Sequence, residues 1–191
     1  MYRLLIADDD DDVRGLLRAQ LERLGHNVVA EARNGEEAVR LAAEHAPNMA
    51  ILDVRMPVMD GIDAANKILR DNPCPVIFLT AYVEEDTVAR AGETGAFYYL
   101  VKPFRTEDLA PAMTLSAARF KQYQDTQYLL QKAQRDLDDR KTIERAKGIL
   151  MEQFGLTEQE AFKKIHFAAR NSNRQTAVVA AEVLESGQIP S

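Results

Sequence analysis

A pair of carboxylates, a single carboxylate, a hydroxyl and an ammonium group each follow a short apolar run in this chain. Asp8 and Asp9 come after Leu4 to Ala7, and Asp53 after Ala50, Ile51 and Leu52. Thr80, with Ala81, closes the run from Pro75, and Lys102 follows Phe97 to Val101. Carboxylates crowded together repel and raise one another's pKa unless a cation neutralises them. Mg2+ meets that need: it favours oxygen ligands, keeps several waters, and takes one or two carboxylates together with a phosphoryl oxygen. Lys102 and Thr80 then supply a point charge and a hydroxyl donor for further phosphoryl oxygens. In that chemistry Asp53 is the nucleophile, a carboxylate that becomes an aspartyl-phosphate.

The groups converge only if the apolar runs are neighbouring strands. Arg3 to Ala7 reads as a strand, and Val13, Leu16, Leu17, Leu21 and Leu24 recur at helical spacing up to Gly25. Asn27 to Ala32 is a second strand, and Asn34 caps a helix bearing Ala38, Leu41 and Ala42. A third strand ends at Asp53, where Met56-Pro57 and Asp60-Gly61 punctuate a loop. Helix over 62–69, strand over 75–80, helix over 84–91 and strand over 97–101 continue the alternation. Strict alternation predicts an α/β fold, a five-stranded doubly wound parallel sheet with right-handed crossovers. Ligands in such sheets gather beyond the carboxyl ends of the strands, on the rim where these groups fall. Singly, each group has a plainer role, since Asp caps helices, Thr closes turns and Lys-Pro sits in loops. Their joint placement at the ends of the first, third, fourth and fifth strands argues against coincidence.

Composition narrows the class. The chain has 191 residues, 46% of them apolar, enough for a sizeable core and too apolar for disorder. A net charge of −6 disfavours indiscriminate coating of nucleic acid or anionic membrane, although an average can hide a local basic patch. Cys74 is the one cysteine, and His26, His45 and His166 are too scattered for a metal cluster, so neither redox nor zinc chemistry is indicated. No apolar run reaches the length of a membrane span. A cytoplasmic protein with no membrane partner is expected.

Residues 1 to about 120 closely resemble the receiver domain of two-component response regulators. The resemblance rests on Asp8-Asp9, Asp53 with Met56-Pro57 and Gly61, Thr80-Ala81, and Lys102-Pro103-Phe104. It implies a flavodoxin-like fold in which Asp53 accepts phosphate from a sensor histidine kinase. It also implies that Asp9 and Asp53 bind Mg2+ directly, that Asp8 acts through water, and that Arg55 gives its backbone carbonyl. Thr80 and Tyr99 would be paired switch positions, and the Lys102-Pro103 bond would be cis. Asp10, Asp11 and Asp12 extend beyond the family's acidic pair and are read as capping and charging the first helix.

Beyond Phe104 the helical pattern continues. Leu109, Met113, Ser116, Phe120, Tyr123, Gln127, Leu130, Gln134 and Leu137 follow alternating steps of four and three, a heptad seam with polar interruptions. The reading is one long linker helix over 106–140, with Asp108 as N-cap, that pairs two chains conditionally as a coiled coil. A further all-α pattern follows: Ile143, Ile149, Leu150 and Phe154 up to Gly155, a capping box at Thr157 and Glu160, then Ala161, Ile165 and Ala168-Ala169. Asn173 is read as the cap of a third helix bearing Val178, Val179, Val183 and Leu184. Between Arg140 and Arg174 eight lysines and arginines stand against four glutamates, the local reversal hidden by the average. Lys141, Arg145 and Lys147 lie close along one helix and could track phosphates.

The stretch Arg140 to Met151 with its Ala146-Lys147-Gly148 core, followed by Gly155, Thr157 to Ala161, Asn173-Arg174 and Val179-Ala180, resembles the ANTAR domain, a three-helix module of antitermination regulators. A small-basic-small step would let nucleic acid approach the helix backbone while one ammonium reaches a phosphate or loop base. Thr176 stands where the family more often has leucine. The expected organisation is a receiver over 1–120, the linker helix over 106–140 and a small three-helix ANTAR domain over 136–191. The expected function is a response regulator, not an enzyme, phosphorylated on Asp53 and dimerising on phosphorylation, whose output binds RNA stem-loops to cause antitermination. Its RNA contacts would come from Lys141, Arg145, Ala146, Lys147, Gly148 and Arg174, and Mg2+ would be its only cofactor. The competing readings are an Mg2+-dependent phosphohydrolase, which would need a general acid where Arg55 stands, and a response regulator with a DNA- or protein-binding output.

Overall fold

The computed structural model describes residues 1–81 and 98–190. The expected helix over 84–91, and residue 97 at the start of the expected fifth strand, lie outside the described residues. The chain divides into two compact units, Met1–Asp125 and Thr126–Ser191.

In the first unit β1 (Arg3–Ala7), β2 (Asn27–Ala32), β3 (Met49–Asp53), β4 (Val76–Thr80) and β5 (Tyr98–Val101) form one sheet in the order β2-β1-β3-β4-β5, each pair parallel. Every residue of β3 and β4 is buried, which explains their unbroken apolar sequences. Helices α1 (Asp11–Arg23), α2 (Gly35–His45) and α3 (Gly61–Asp71) start where side chains satisfy the first free amides. Asp10 accepts from the N–H groups of Asp12 and Val13, Asn34 from Glu37, and Asp60 from Asp63. The surplus aspartates thus cap and charge α1, as the sequence suggested.

One sheet face packs α2 and α3 around Leu5, Leu52, Ile62, Ile68 and Phe78; the opposite face packs Leu17 and Leu21 of α1 with Ile6, Ile51 and Leu79. Cys74 is buried on the first face, and burial pushes its thiol up to about 12. The loop entering α3 holds Val58 at φ 69°, a left-handed conformation that a β-branched residue resists. No helix among the described residues is long and apolar enough to cross a membrane.

Helix α4 (Thr106–Phe154) is continuous, longer than the expected linker and inclusive of the first helix of the C-terminal pattern. It starts before Asp108, whose carboxylate turns back to accept the Arg105 N–H at 2.8 Å. Pro111 therefore lies in the second turn, where the donor to the Glu107 carbonyl is missing. The heptad seam has two fates. Leu109, Met113, Ser116 and Phe120 are buried in the first unit, and the polar interruption at Ser116 is explained by its hydroxyl, which donates to the buried Val76 carbonyl at 2.9 Å. From Tyr128 to Lys141 every residue is exposed, Leu129, Leu130 and Leu137 included.

The second unit packs the end of α4 with α5 (Glu158–Asn171) and α6 (Thr176–Ser186) around Ala146, Leu150, Ala161, Ile165, Ala169, Val179, Ala180 and Val183. The capping box forms as expected: Thr157 accepts from the Glu160 N–H and Glu160 accepts from the Thr157 N–H. Asn173 does not cap the third helix. It adopts φ 52° in the turn after α5, a conformation asparagine tolerates, and Gln175 is the N-cap without a side-chain bond. Phe154 and Val178 are exposed instead of packed.

Candidate functional site

Sheet register assembles the rim. Ala7 pairs with Leu52, which sets Asp8 beside Asp53; Asp53 pairs with Leu79 and Thr80 with Val101, which brings Thr80 and Lys102 to the same edge. The Val54 N–H donates to the Leu79 carbonyl at 2.9 Å and the Lys102 N–H to the Thr80 carbonyl at 2.8 Å, fixing the loops where they leave the strands. Lys102 Nζ stands 2.5 Å from Asp53 Oδ1 and 2.6 Å from Asp8 Oδ2. Asp53 Oδ2 accepts the Arg55 N–H at 2.8 Å, and Asp8 Oδ1 accepts the Asp10 N–H at 3.1 Å. The Lys102-Pro103 peptide is cis, as the resemblance implied.

The electrostatics follow from burial. Asp8, Asp53 and Thr80 are buried, Asp9 and Ala81 exposed. Burial pushes the Asp53 carboxyl above the ordinary carboxylate range and the Asp8 charge adds to the push, only partly offset by Lys102 and the Arg55 amide. For Lys102, burial opposes the charge, but the two carboxylates hold its pKa above the ordinary lysine value. Arg14 is buried behind the rim, donating to the Asp8 carbonyl at 2.7 Å and pairing with Asp11. The sequence reading passed over it, and an arginine one turn inside an acidic helix start was the available signal.

Among the described residues no three acids stand close enough to form a ready-made cation cage. Asp8 and Asp53 converge, while Asp9 is not gathered with them, so the expected crowding of three carboxylates is reduced to two. The donors still fit Mg2+: they are all oxygen, and a cation that keeps most of its waters needs only one or two carboxylates. Two carboxylates share the single Lys102 ammonium, so the rim holds more negative than positive charge. Tyr99 is half-buried on β5, packed against the cluster that contains Phe78, with ring centroids 5.7 Å apart.

Two close backbone approaches set the loop after β3. A Cβ on Gly61 would fall 2.0 Å from the Asp53 carbonyl oxygen, and one on Gly35 would fall 2.6 Å from the Met59 carbonyl oxygen. Both positions demand glycine because of space, not of dihedral angle.

In the second unit the expected RNA-contact residues separate. Ala146 is fully buried core. Lys147 is covered, and its ammonium lies 2.8 Å from Glu144 and 2.7 Å from Glu158, tying α4 to α5. Arg174 is paired with Glu182 through both guanidinium nitrogens. The small-basic-small step is therefore revised as an approach for nucleic acid, since two of its three residues are engaged within the unit. Gly148 does have open space around it, with nothing within 4 Å of an added Cβ, which excludes the packing role. Lys141 and Arg145 are exposed, Lys141 at 3.8 Å from Asp138.

A parallel five-stranded sheet that carries an Asp–Lys–Asp bridge, a buried threonine and an edge-strand tyrosine on one rim defines a receiver-type module. Comparison with known proteins agrees. The response regulator receiver domain family matches residues 4–114, and the ANTAR domain family matches residues 131–184. The transcriptional regulatory protein PdtaR of Mycobacterium tuberculosis is 42% identical over 184 residues, 96% of this chain and 90% of that protein. Among solved structures, the signal receiver domain of a modulated diguanylate cyclase from Desulfovibrio desulfuricans G20 superposes with a TM-score of 0.60 at 31% identity, covering 64% of this chain and 98% of that one. The CheX-CheY-BeF3-Mg+2 complex from Borrelia burgdorferi gives 0.56 at 30% identity, covering 59% and 86%. The chain belongs to the response regulators, with an N-terminal receiver domain and a C-terminal ANTAR domain, and is a regulator of transcription.

Proposed function

We propose that this response regulator is switched by phosphorylation of Asp53 and acts by binding RNA stem-loops to prevent transcription termination. The observation that carries the first half is the Lys102 ammonium bridging Asp53 and Asp8 at 2.5 and 2.6 Å on the strand-end rim. Asp53 attacks the phosphorus of a phosphohistidine on a sensor kinase; the new bond is Oδ1–P, the P–N bond breaks, and the imidazole leaves with the electron pair and takes up a proton. Bound Mg2+ would be held by Asp53 and the Arg55 carbonyl, with Asp9 turning in from the exposed side of the rim and Asp8 acting through water, and would neutralise phosphoryl oxygens during transfer. A CheY complex bearing BeF3 and Mg2+ supports that assignment. Lys102 transfers one of its contacts from Asp53 to the phosphoryl group, and the Thr80 hydroxyl donates to another oxygen. Tyr99 follows by rotating against Phe78. The protein is a switch and not an enzyme. A phosphohydrolase would need a carboxylic acid two residues beyond Asp53, and Arg55 stands there instead.

The output half rests on the exposed Tyr128 to Lys141 stretch and the ANTAR unit. Leu129, Leu130 and Leu137 have no cover in one chain, so a second copy pairs with them as a conditional coiled coil. Two paired ANTAR units then engage RNA stem-loops with an avidity neither has alone. The setting is the cytoplasm, where nascent transcripts are made. Acetyl phosphate with Mg2+ should raise both the dimer fraction, by light scattering, and RNA retention, and Asp53→Ala should abolish both responses. Unchanged scattering and retention on phosphorylation would refute the mechanism.

A further inference from the structure

Two of the cations expected to contact RNA are already spent within the second unit. Lys147 and Arg174 are neutralised by Glu144, Glu158 and Glu182, and Lys141 lies near Asp138. Lys163, Lys164 and Arg170 lie in no ion pair within 4.0 Å among the described residues, as do the exposed Arg140 and Arg145 of α4, and Glu160 exerts only a longer-range attraction on the two lysines. What distinguishes the three is their place on the solvent face of α5, opposite the buried Ala161, Ile165 and Ala169. Three aromatic rings are interleaved with them. Phe162 is 43% exposed and Phe167 66% exposed, a poor disposition for apolar side chains unless something covers them. The Phe162 and His166 rings stack with planes 10° apart and centroids 5.8 Å apart, and His166 Nδ1 lies 3.4 Å from the Thr176 hydroxyl at the start of α6. The threonine that departs from the family pattern thus braces the histidine. These side chains line a groove of about 870 Å³.

We infer that this face of α5 is a base-stacking platform for the unpaired loop of an RNA hairpin, with Phe162, His166 and Phe167 taking the bases and Lys163, Lys164 and Arg170 the phosphates. The inference rests on the RNA-binding reading and names where the loop sits. Charge complementarity selects the occupant: an apolar protein helix would leave three desolvated cations at its border, whereas a nucleic-acid strand brings one phosphate per nucleotide. Flat, exposed rings select unpaired bases, because a duplex hides its base faces within its own stack. Rings already braced by a neighbour lose little freedom when a base lands on them.

The test uses the full chain and a fluorescein-labelled RNA hairpin with an adenine-rich loop, a second hairpin carrying 2-aminopurine in that loop, and a blunt RNA duplex of equal length. Phe162→Ala and Phe167→Ala should each weaken hairpin binding about tenfold, as loss of one base–aromatic stack does. Phe167→Trp should retain binding, and the blunt duplex should bind weakly and equally to all variants. The 2-aminopurine signal should be quenched by the wild type and not by Phe167→Ala. Both phenylalanines are outside the core, and matching circular dichroism melts confirm that the variants fold. Hairpin binding at full strength by both alanine variants overturns this inference and leaves the RNA reading standing. Equal weakening of hairpin and duplex also overturns it, as does loss of self-association in place of RNA affinity on sedimentation, which would give the face to a second copy. A wild type that retains no hairpin overturns both readings.

Discussion

Replacing Gly61 by alanine tests whether Asp53, the proposed phosphoacceptor, is held by backbone contact. The new methyl carbon would sit 2.0 Å from the Asp53 carbonyl oxygen, 2.9 Å from its carbon and 3.3 Å from Val54 Cα, all backbone atoms that no rotamer change can move. A carbon approaches a carbonyl oxygen to roughly 3.3 Å without repulsion. The first turn of α3 must therefore retreat by about 1 Å or more. The retreat breaks the Gly61 N–H bond to the Val54 carbonyl, now 3.0 Å, worth about 1 kcal/mol. Forced overpacking adds about 1–3 kcal/mol. The sum is about 2–4 kcal/mol, which lowers the melting temperature of a unit this size by about 10 °C. Because the displaced carbonyl belongs to Asp53, phosphorylation by acetyl phosphate, followed on a phosphate-affinity gel, should slow as well. Calorimetry of the full chain showing a melt within about 2 °C of wild type, with normal phosphorylation, would refute the close-approach argument.

Two further substitutions probe the same rim. The folded Asp53 carboxyl titrates above its unfolded value, so folding favours its protonated form, and stability is lost as the pH rises through the ordinary carboxylate range. Asp53→Asn should consequently melt higher than wild type at neutral pH, with the gap closing under acid; a gap that is absent or indifferent to pH would contradict the assigned burial. Val58 holds φ 69° at an exposed position, so Val58→Asn, which tolerates that region, should raise stability by about 1 kcal/mol in urea unfolding, and a loss would show the turn to be unstrained.

Much of the receiver was legible because its signals are local. Apolar runs ended by Asp8, Asp53 and Thr80 mark strands, and Asn34 and Thr157 mark helix starts through bonds only three residues long. Asp8 and Lys102 are 94 residues apart, yet parallel topology alone puts them on one rim. What depended on longer partnerships was less visible. Nothing in the order of residues says that Lys147 will meet Glu158, or Arg174 Glu182, so paired and unpaired cations look alike in the sequence. Asn173 resembles a cap until the turn after α5 uses its tolerance for positive φ. Ser116 resembles a flaw in a zipper until the Val76 carbonyl appears opposite it. The first half of the seam, Leu109 to Phe120, misled for a related reason: burial against a sheet and burial against a second helix impose the same spacing of apolar residues. The aromatic residues of α5 carried a readable cue, Phe162-Lys-Lys and His166-Phe167, but alternation of rings and charges in a helix becomes meaningful only once the packed face is known to be the other one.

Cys74 has a practical consequence. A thiol sealed under the sheet and held protonated up to about pH 12 is a nonreactive bystander to maleimides, iodoacetamides and nitroxide reagents applied at neutral pH. Because it is the one cysteine in the chain, a second cysteine placed at an exposed position such as Leu137 or Phe167 would take a probe by itself, with no background mutation to the core. The wild-type protein is thus already a blank for single-site labelling, and whether two copies approach one another on treatment with acetyl phosphate can be read directly by spin or fluorescence spectroscopy.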